Sequence, residues 1–146
     1  MEDKNINHEV LNKIYRNAHI ALQSISNLLP EVEESPIRSE LNEQYDGYEK
    51  LIGEISSVMA QEGLEPKDIG VMKKTFMWSS IKMKTIADNS QNNAAEMMVQ
   101  GTVMGITELY TIKSQYGNCL NEKTTELVQK LLNLEEDYEK RLKTFL

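Results

Sequence analysis

The sequence predicts an all-α fold, a helical bundle of two antiparallel hairpins joined by a long, partly helical crossover. Three observations predict it. Apolar residues recur at intervals of three and four along most of the chain, the period of one helix face. The helix-ending residues Pro30, Gly63 and Gly117 divide that pattern into segments long enough to span a bundle. The composition, with three prolines, seven glycines and two phenylalanines, lacks the turn-dense, aromatic texture of an all-β chain.

The first helix is expected over about residues 7–29, with Leu11, Ile14, Tyr15, Ala18, Leu22, Ile25 and Leu29 as its buried stripe. Pro30 ends it, because proline lacks a donor and disfavours helical geometry in the residue before it. His19 lies beside the stripe. After a short acidic link, Ser35 is placed as an N-cap, with Pro36 at the first helical position. The second helix, about residues 36–62, turns Ile37, Leu41, Tyr45, Tyr48, Leu51, Ile52, Ile55 and Met59 inward, with Gly63 as its C-cap. So short a link folds the first two helices into a hairpin.

A locally basic helix follows over about residues 69–87, carrying Val71, Met72, Thr75, Phe76, Met83 and Ile86. Its roughly 18 residues cover about 27 Å at about 1.5 Å each, enough for a crossover along the bundle. The alternative is a full fifth bundle helix.

The central helix, about residues 93–117, is apolar over most of its circumference. Ala94, Met97, Met98, Gly101, Met104, Gly105 and Ile112 form one line; Val99, Val103, Ile106 and Tyr110 form another. Two such lines predict burial on several sides. Asn93 and Glu96 have capping-box spacing. Gly101 and Gly105 each cost about 1 kcal/mol of helix propensity relative to alanine, and predict the close approach of another backbone. Glu108 is the one charge on the apolar line. The last helix, about residues 122–146, turns Leu127, Leu131, Leu134, Glu135, Tyr138, Leu142 and Phe145 inward. Lys140, Arg141 and Lys143 sit near its end, where cations suit the helix dipole.

Length predicts a single domain over residues 1–146 with one core. The net charge of −7 argues against a nucleic-acid partner, which needs a cationic footprint. A lone Cys119 leaves no internal disulfide and no multi-thiolate metal site. With only Lys123 nearby as a cation, it reads as an inert thiol. No apolar run approaches the roughly 20 residues of a membrane span. The opening residues lack the apolar core of a signal peptide, so the expectation is a cytoplasmic protein. Glycine-rich phosphate loops, zinc-finger spacings and nucleophile elbows do not occur.

The second and last helices echo each other: Tyr45-Asp46-Gly47-Tyr48-Glu49-Lys50-Leu51 against Glu135-Glu136-Asp137-Tyr138-Glu139-Lys140-Arg141-Leu142. With the hairpin layout and the phrase AEMMVQGTVMGITEL at residues 95–109, the chain resembles the ferritin-like superfamily. The resemblance is strongest to small rubrerythrin-like and spore-coat-type bundles of Gram-positive bacteria. It implies a bacterial four-helix bundle. Active members hold two irons between a Glu-x-x-His motif on each of two helices and a single Glu on each of the others. Carboxylates bridge the irons and imidazole completes each one. Here Glu135-Glu136-Asp137-Tyr138 puts tyrosine where histidine belongs. Tyr45 and Tyr48 take both positions on the second helix, and the first helix's stripe offers no acid. Only Glu108 and Glu135 remain as metal-ligand candidates. No metal and no cofactor are therefore expected, and no catalytic residue is assigned.

A buried carboxylate must be paired or protonated. Glu108 and Glu135 are read as hydrogen-bonding buried tyrosines among Tyr45, Tyr48 and Tyr138; the alternative is a remnant metal or proton site. His8 and His19 read as structural. The methionines at 72, 77, 83, 97, 98 and 104 read as core filler, or as an adaptable binding surface. The lysines between Lys67 and Lys84, with Phe76, Met77 and Trp78, read as crossover packing, or as contacts to an anionic membrane surface. The functional expectation is a non-catalytic structural or protein-interaction bundle, a homo-oligomer with a dimer first, because one bundle does not cover both lines of the central helix. The alternative is a metal-binding oxidoreductase using Glu108, Glu135 and the tyrosines. A small-ligand or envelope-associated module is a third reading.

Overall fold

The computed structural model describes residues 2–32, 36–66 and 91–146. Every regular element among them is helical. Helices α1 (Glu2–Leu28), α2 (Pro36–Gln61), α3 (Gln91–Tyr116) and α4 (Glu122–Lys143) pack as an all-α bundle. Two 3-10 turns, Leu29–Glu31 and Gly117–Cys119, follow α1 and α3. The helix expected over 69–87, its methionines and lysines, and the Ser35 cap lie outside the described residues.

Cross-helix contacts give the register. On α2 and α4 the partners run in opposite order: Arg141 with Glu40 (3.0 Å), Tyr48 with Glu135 (3.3 Å), Lys130 with Glu54 (2.7 Å) and Lys123 with Gln61 (3.0 Å). At one end of α1 and α2, His8 meets Glu62 at 3.4 Å. At the other, Arg38 donates to the carbonyls of Leu29 (2.6 Å) and Val32 (2.9 Å), which the end of α1 leaves without helical partners. Helices α1 and α4 each touch the other three, while α2 and α3 lie across the bundle from each other.

The core is aliphatic. Leu11, Ile14, Ile25, Ile37, Leu41, Ile55, Met59, Met97, Met98, Leu109, Leu131 and Leu142 are all buried. Each such side chain contributes about 1.5–3 kcal/mol relative to exposure. The expected stripes of α1, α2 and α4 supply most of them; Tyr15, Leu22, Leu29, Tyr45, Ile52, Leu134 and Phe145 are only half-buried.

Four expectations need correction. Helix α1 begins well before residue 7, because Ile6 packs on the core and Asn7 ties the helix to the turn between α3 and α4. Asn7 Nδ2 donates to the carbonyls of Asp3 (2.6 Å) and Cys119 (3.2 Å), and its Oδ1 accepts from the Asn121 N–H (2.8 Å). Helix α3 is already running at Gln91, so Asn93 lies inside it and is not its cap. Gln91 Oε1 instead accepts from the Ile37 N–H at 3.3 Å, capping α2 from a neighbour. Gly63 ends α2 at φ +70, as expected, but Gly117 enters a 3-10 turn without a positive φ. Finally, α3 is buried on one broad face only. It packs on α1 and α4, which leaves Val103 40% and Tyr110 51% exposed, with Val99 and Ile106 half-buried.

Candidate functional site

The periodicity that buries Leu131 and Leu142 on α4 also carries Glu135 and Tyr138 inward, since residues three and four apart share a helix face. On α2, Tyr48 follows Leu41 and Gln44 into the core by the same spacing. The two meet at mid-bundle. The Tyr48 hydroxyl donates to Glu135 Oε2 at 3.3 Å, and both residues are 1% exposed. The rings of Tyr48 and Tyr138, the tyrosines of the sequence echo, stand edge to face at 5.4 Å and 67°. Tyr45 is half-buried and takes no part in these contacts.

Two glycines make room. A Cβ at Gly47 would overlap the Tyr138 hydroxyl. A Cβ at Gly105 would stand 2.7 Å from Glu135 Oε1 and 3.1 Å from Oε2. The space beside Gly105 is thus filled by a carboxylate, not by the backbone that its helix position suggests.

Burial dominates the electrostatics. It pushes the Glu135 carboxyl well above the usual carboxylate range; the Tyr48 hydrogen bond opposes this, and the charge of Glu108 adds to it. Burial, then the Glu135 charge, holds the Tyr48 hydroxyl well above its ordinary value. Tyr138 is pushed up to about 12 by burial, with Arg141 opposing.

Glu108 is differently placed, and the expected tyrosine partner is replaced by polar groups of α1. Asn17 Nδ2 donates to Glu108 Oε1 at 2.8 Å and to the Gly105 carbonyl at 3.2 Å, and Arg16 Nη2 lies 3.7 Å from Glu108 Oε2. Arg16 and Glu108 are both about a third exposed, so this ion pair contributes modestly.

Between α1 and α3, with Glu135 of α4 contributing to the wall, lies a cavity of about 580 Å³. Ile20, Ala21, Gly101 and Met104 form apolar wall; Arg16, Asn17, Thr102, Thr107, Glu108 and Glu135 are polar lining. Its size falls within the range of about 300–1,000 Å³ typical of small-molecule sites. Two of its buried oxygens, Asn17 Oδ1 and Glu135 Oε1, have no hydrogen-bond partner among the described residues.

The other candidate side chains lie away from this cavity's lining. The His19 ring lies 5.5 Å from that of Tyr15, and Cys119 is half-buried in the turn where its carbonyl receives Asn7. Around Glu135 the donor set does not match a di-iron centre: a phenol occupies one oxygen of the carboxylate. Among the described residues, no three His, Cys, Asp or Glu side chains converge where they would hold a metal ion.

Asn17, Arg16 and Gly47 escaped the sequence reading. For Asn17 the signal was present: it falls on the line Val10, Ile14, Ala21, Leu28, a polar residue on an apolar face. Comparison with family models, with curated proteins and with solved structures finds no match to this chain.

Proposed function

We propose that the protein is a ferritin-like bundle of two antiparallel hairpins that binds or assembles and does not catalyse. The Tyr48–Glu135 hydrogen bond carries this reading. It places a phenol and a shielded carboxyl at mid-bundle, where active ferritin-like proteins converge carboxylates and imidazoles on metal. The opposite residue order of contacts along α2 and α4 supports the hairpin wiring. The exposed Val103 and Tyr110 on α3 support a homo-oligomer, a dimer first. Protein purified from iron-supplemented cells is expected to carry substoichiometric iron and to leave the oxidation rate of ferrous iron unchanged. Stoichiometric iron with oxygen consumption that Glu135→Gln abolishes would overturn the reading.

A second reading, a metal-binding oxidoreductase with a degenerate carboxylate and tyrosine site, is favoured by one observation: Glu108 and Glu135 line the same cavity. The same iron measurement decides between the two.

A further inference from the structure

Resting on the binding reading above, we propose that the cavity between α1 and α3 is a site for a small organic cation, a primary amine with an apolar body, whose ammonium is received by Glu135 and Asn17. The side-chain donors that line the cavity are engaged. Asn17 Nδ2 serves Glu108 and the Gly105 carbonyl; the hydroxyls of Thr102 and Thr107 serve the carbonyls of Met98 (2.7 Å) and Val103 (2.8 Å). The Arg16 guanidinium is paired with Glu108 at the mouth. Among the described residues that line it, the unpartnered buried atoms are Asn17 Oδ1, an acceptor, and Glu135 Oε1, an acceptor once the carboxyl has given up its proton. Because Asn17 Nδ2 sits between two acceptors, the orientation of its amide is fixed by the network.

An occupant must therefore bring donors. An ammonium brings three and has no lone pair to leave unsatisfied. A carboxylate ligand would set its charge near Glu108 and bring no donor for Asn17 Oδ1. A hard dication seeks about six or more oxygens, whereas this wall offers two carboxylates, one amide and two hydroxyls already bonded to backbone carbonyls, beside the cationic Arg16. The apolar wall suits a hydrocarbon body behind the charged head. The Glu135 oxygen reaches this wall only because position 105 has no side chain.

Binding is coupled to a proton. Burial favours the protonated form of Glu135. An arriving ammonium stabilises the carboxylate, and the carboxyl proton leaves to solvent, so the pair R–NH3+ and –COO− replaces –COOH at constant total charge once the released H+ is counted. Around Glu135 among the described residues are Tyr48 of α2, which donates to it, Glu108 of α3, whose charge acts on it, and Arg16 and Asn17 of α1, which line the same cavity. Arg16 is the cation of this set and is paired with Glu108.

Isothermal calorimetry on the full chain with hexylamine, hexanol and hexanoate tests the site, run in two buffers of different ionisation enthalpy. Hexylamine is expected to bind with net proton release and to tighten as pH rises from acidic to neutral; hexanoate is expected not to bind. Glu135→Gln, which keeps the shape and the neutral state, is expected to weaken hexylamine by about tenfold or more, with a smaller effect on hexanol. Three results would each overturn the proposal: hexanol binding as tightly as hexylamine, hexanoate binding best, or no proton release in the wild-type protein. The last needs no variant, so it stands even if the substitution disturbs folding. Absence of amine binding with iron still substoichiometric removes the cation site alone and leaves the non-catalytic reading in place.

Discussion

Gly105 and Glu135 share one space. The carboxylate of Glu135, on α4, lies where the Cβ of any other residue at position 105 of α3 would stand, 2.7 Å from Oε1. Helix propensity alone favours alanine over glycine by about 1 kcal/mol. The clash reverses the sign, because Glu135 is buried and its carboxylate moves only by leaving Tyr48. Gly105→Ala is expected to destabilise by about 1 kcal/mol or more. In a Glu135→Ala background the same change is expected to stabilise by about 1 kcal/mol. Urea denaturation of the four proteins measures this coupling; additive effects would show that the two residues do not compete.

Tyr48→Phe removes the hydroxyl that serves Glu135 Oε2 and leaves both carboxyl oxygens without a partner among the described residues. The expected loss is about 1–3 kcal/mol, the cost of an unsatisfied buried polar group. Since this hydrogen bond lowers the Glu135 pKa, the variant should raise it further. Carbon-13 NMR of the labelled carboxyl reads that shift, and an unchanged titration would contradict the pairing.

Glu135 also sets a pH dependence of stability. Its pKa in the folded chain is raised, so between the unfolded value of about 4.3 and the raised native value the folded state binds more protons than the unfolded one. Stability is then greatest on the acidic side of that window and falls as pH rises through the native pKa. The Tyr48 hydrogen bond works against the shift and the charge of Glu108 works with it, and burial exceeds both. Denaturation midpoints measured across the window should fall for the wild type and lose that slope in Glu135→Gln. An identical slope in both would assign the effect to other carboxylates.

Arg141 closes the other end of the α2–α4 contact. Its guanidinium pairs with Glu40 (3.0 Å), Glu43 and Asp137 (3.2 Å) and lies 5.4 Å above the Tyr138 ring. The group is about a third exposed, so solvent screens it, and Arg141→Ala is expected to cost about 1 kcal/mol. Arg141→Lys should recover only part, because an ammonium lacks the planar fork that serves several carboxylates and stacks on a ring. Thermal melts in low and high salt check both, with the loss shrinking as salt rises.

The helical nature of the chain was legible in its sequence, because each helix exposes one face to water and hides another, and that division is written as a period along the chain. The stripe of α1, the inward faces of α2 and α4, the break near Pro30 and the Gly63 cap could all be read from that period and from backbone chemistry. The placement of Glu135 and Tyr48 toward the core was legible for the same reason. Their contact was not, since a period says which face a residue occupies and nothing about which residue of another helix it meets. That is why Glu108 pairs with Asn17 and Arg16 across the α1–α3 contact, why a carboxylate and not a backbone fills the space at Gly105, and why the second apolar line of α3 stays partly exposed. Register and helix placement depend on contacts between residues far apart in the chain, and only the tertiary structure supplies them.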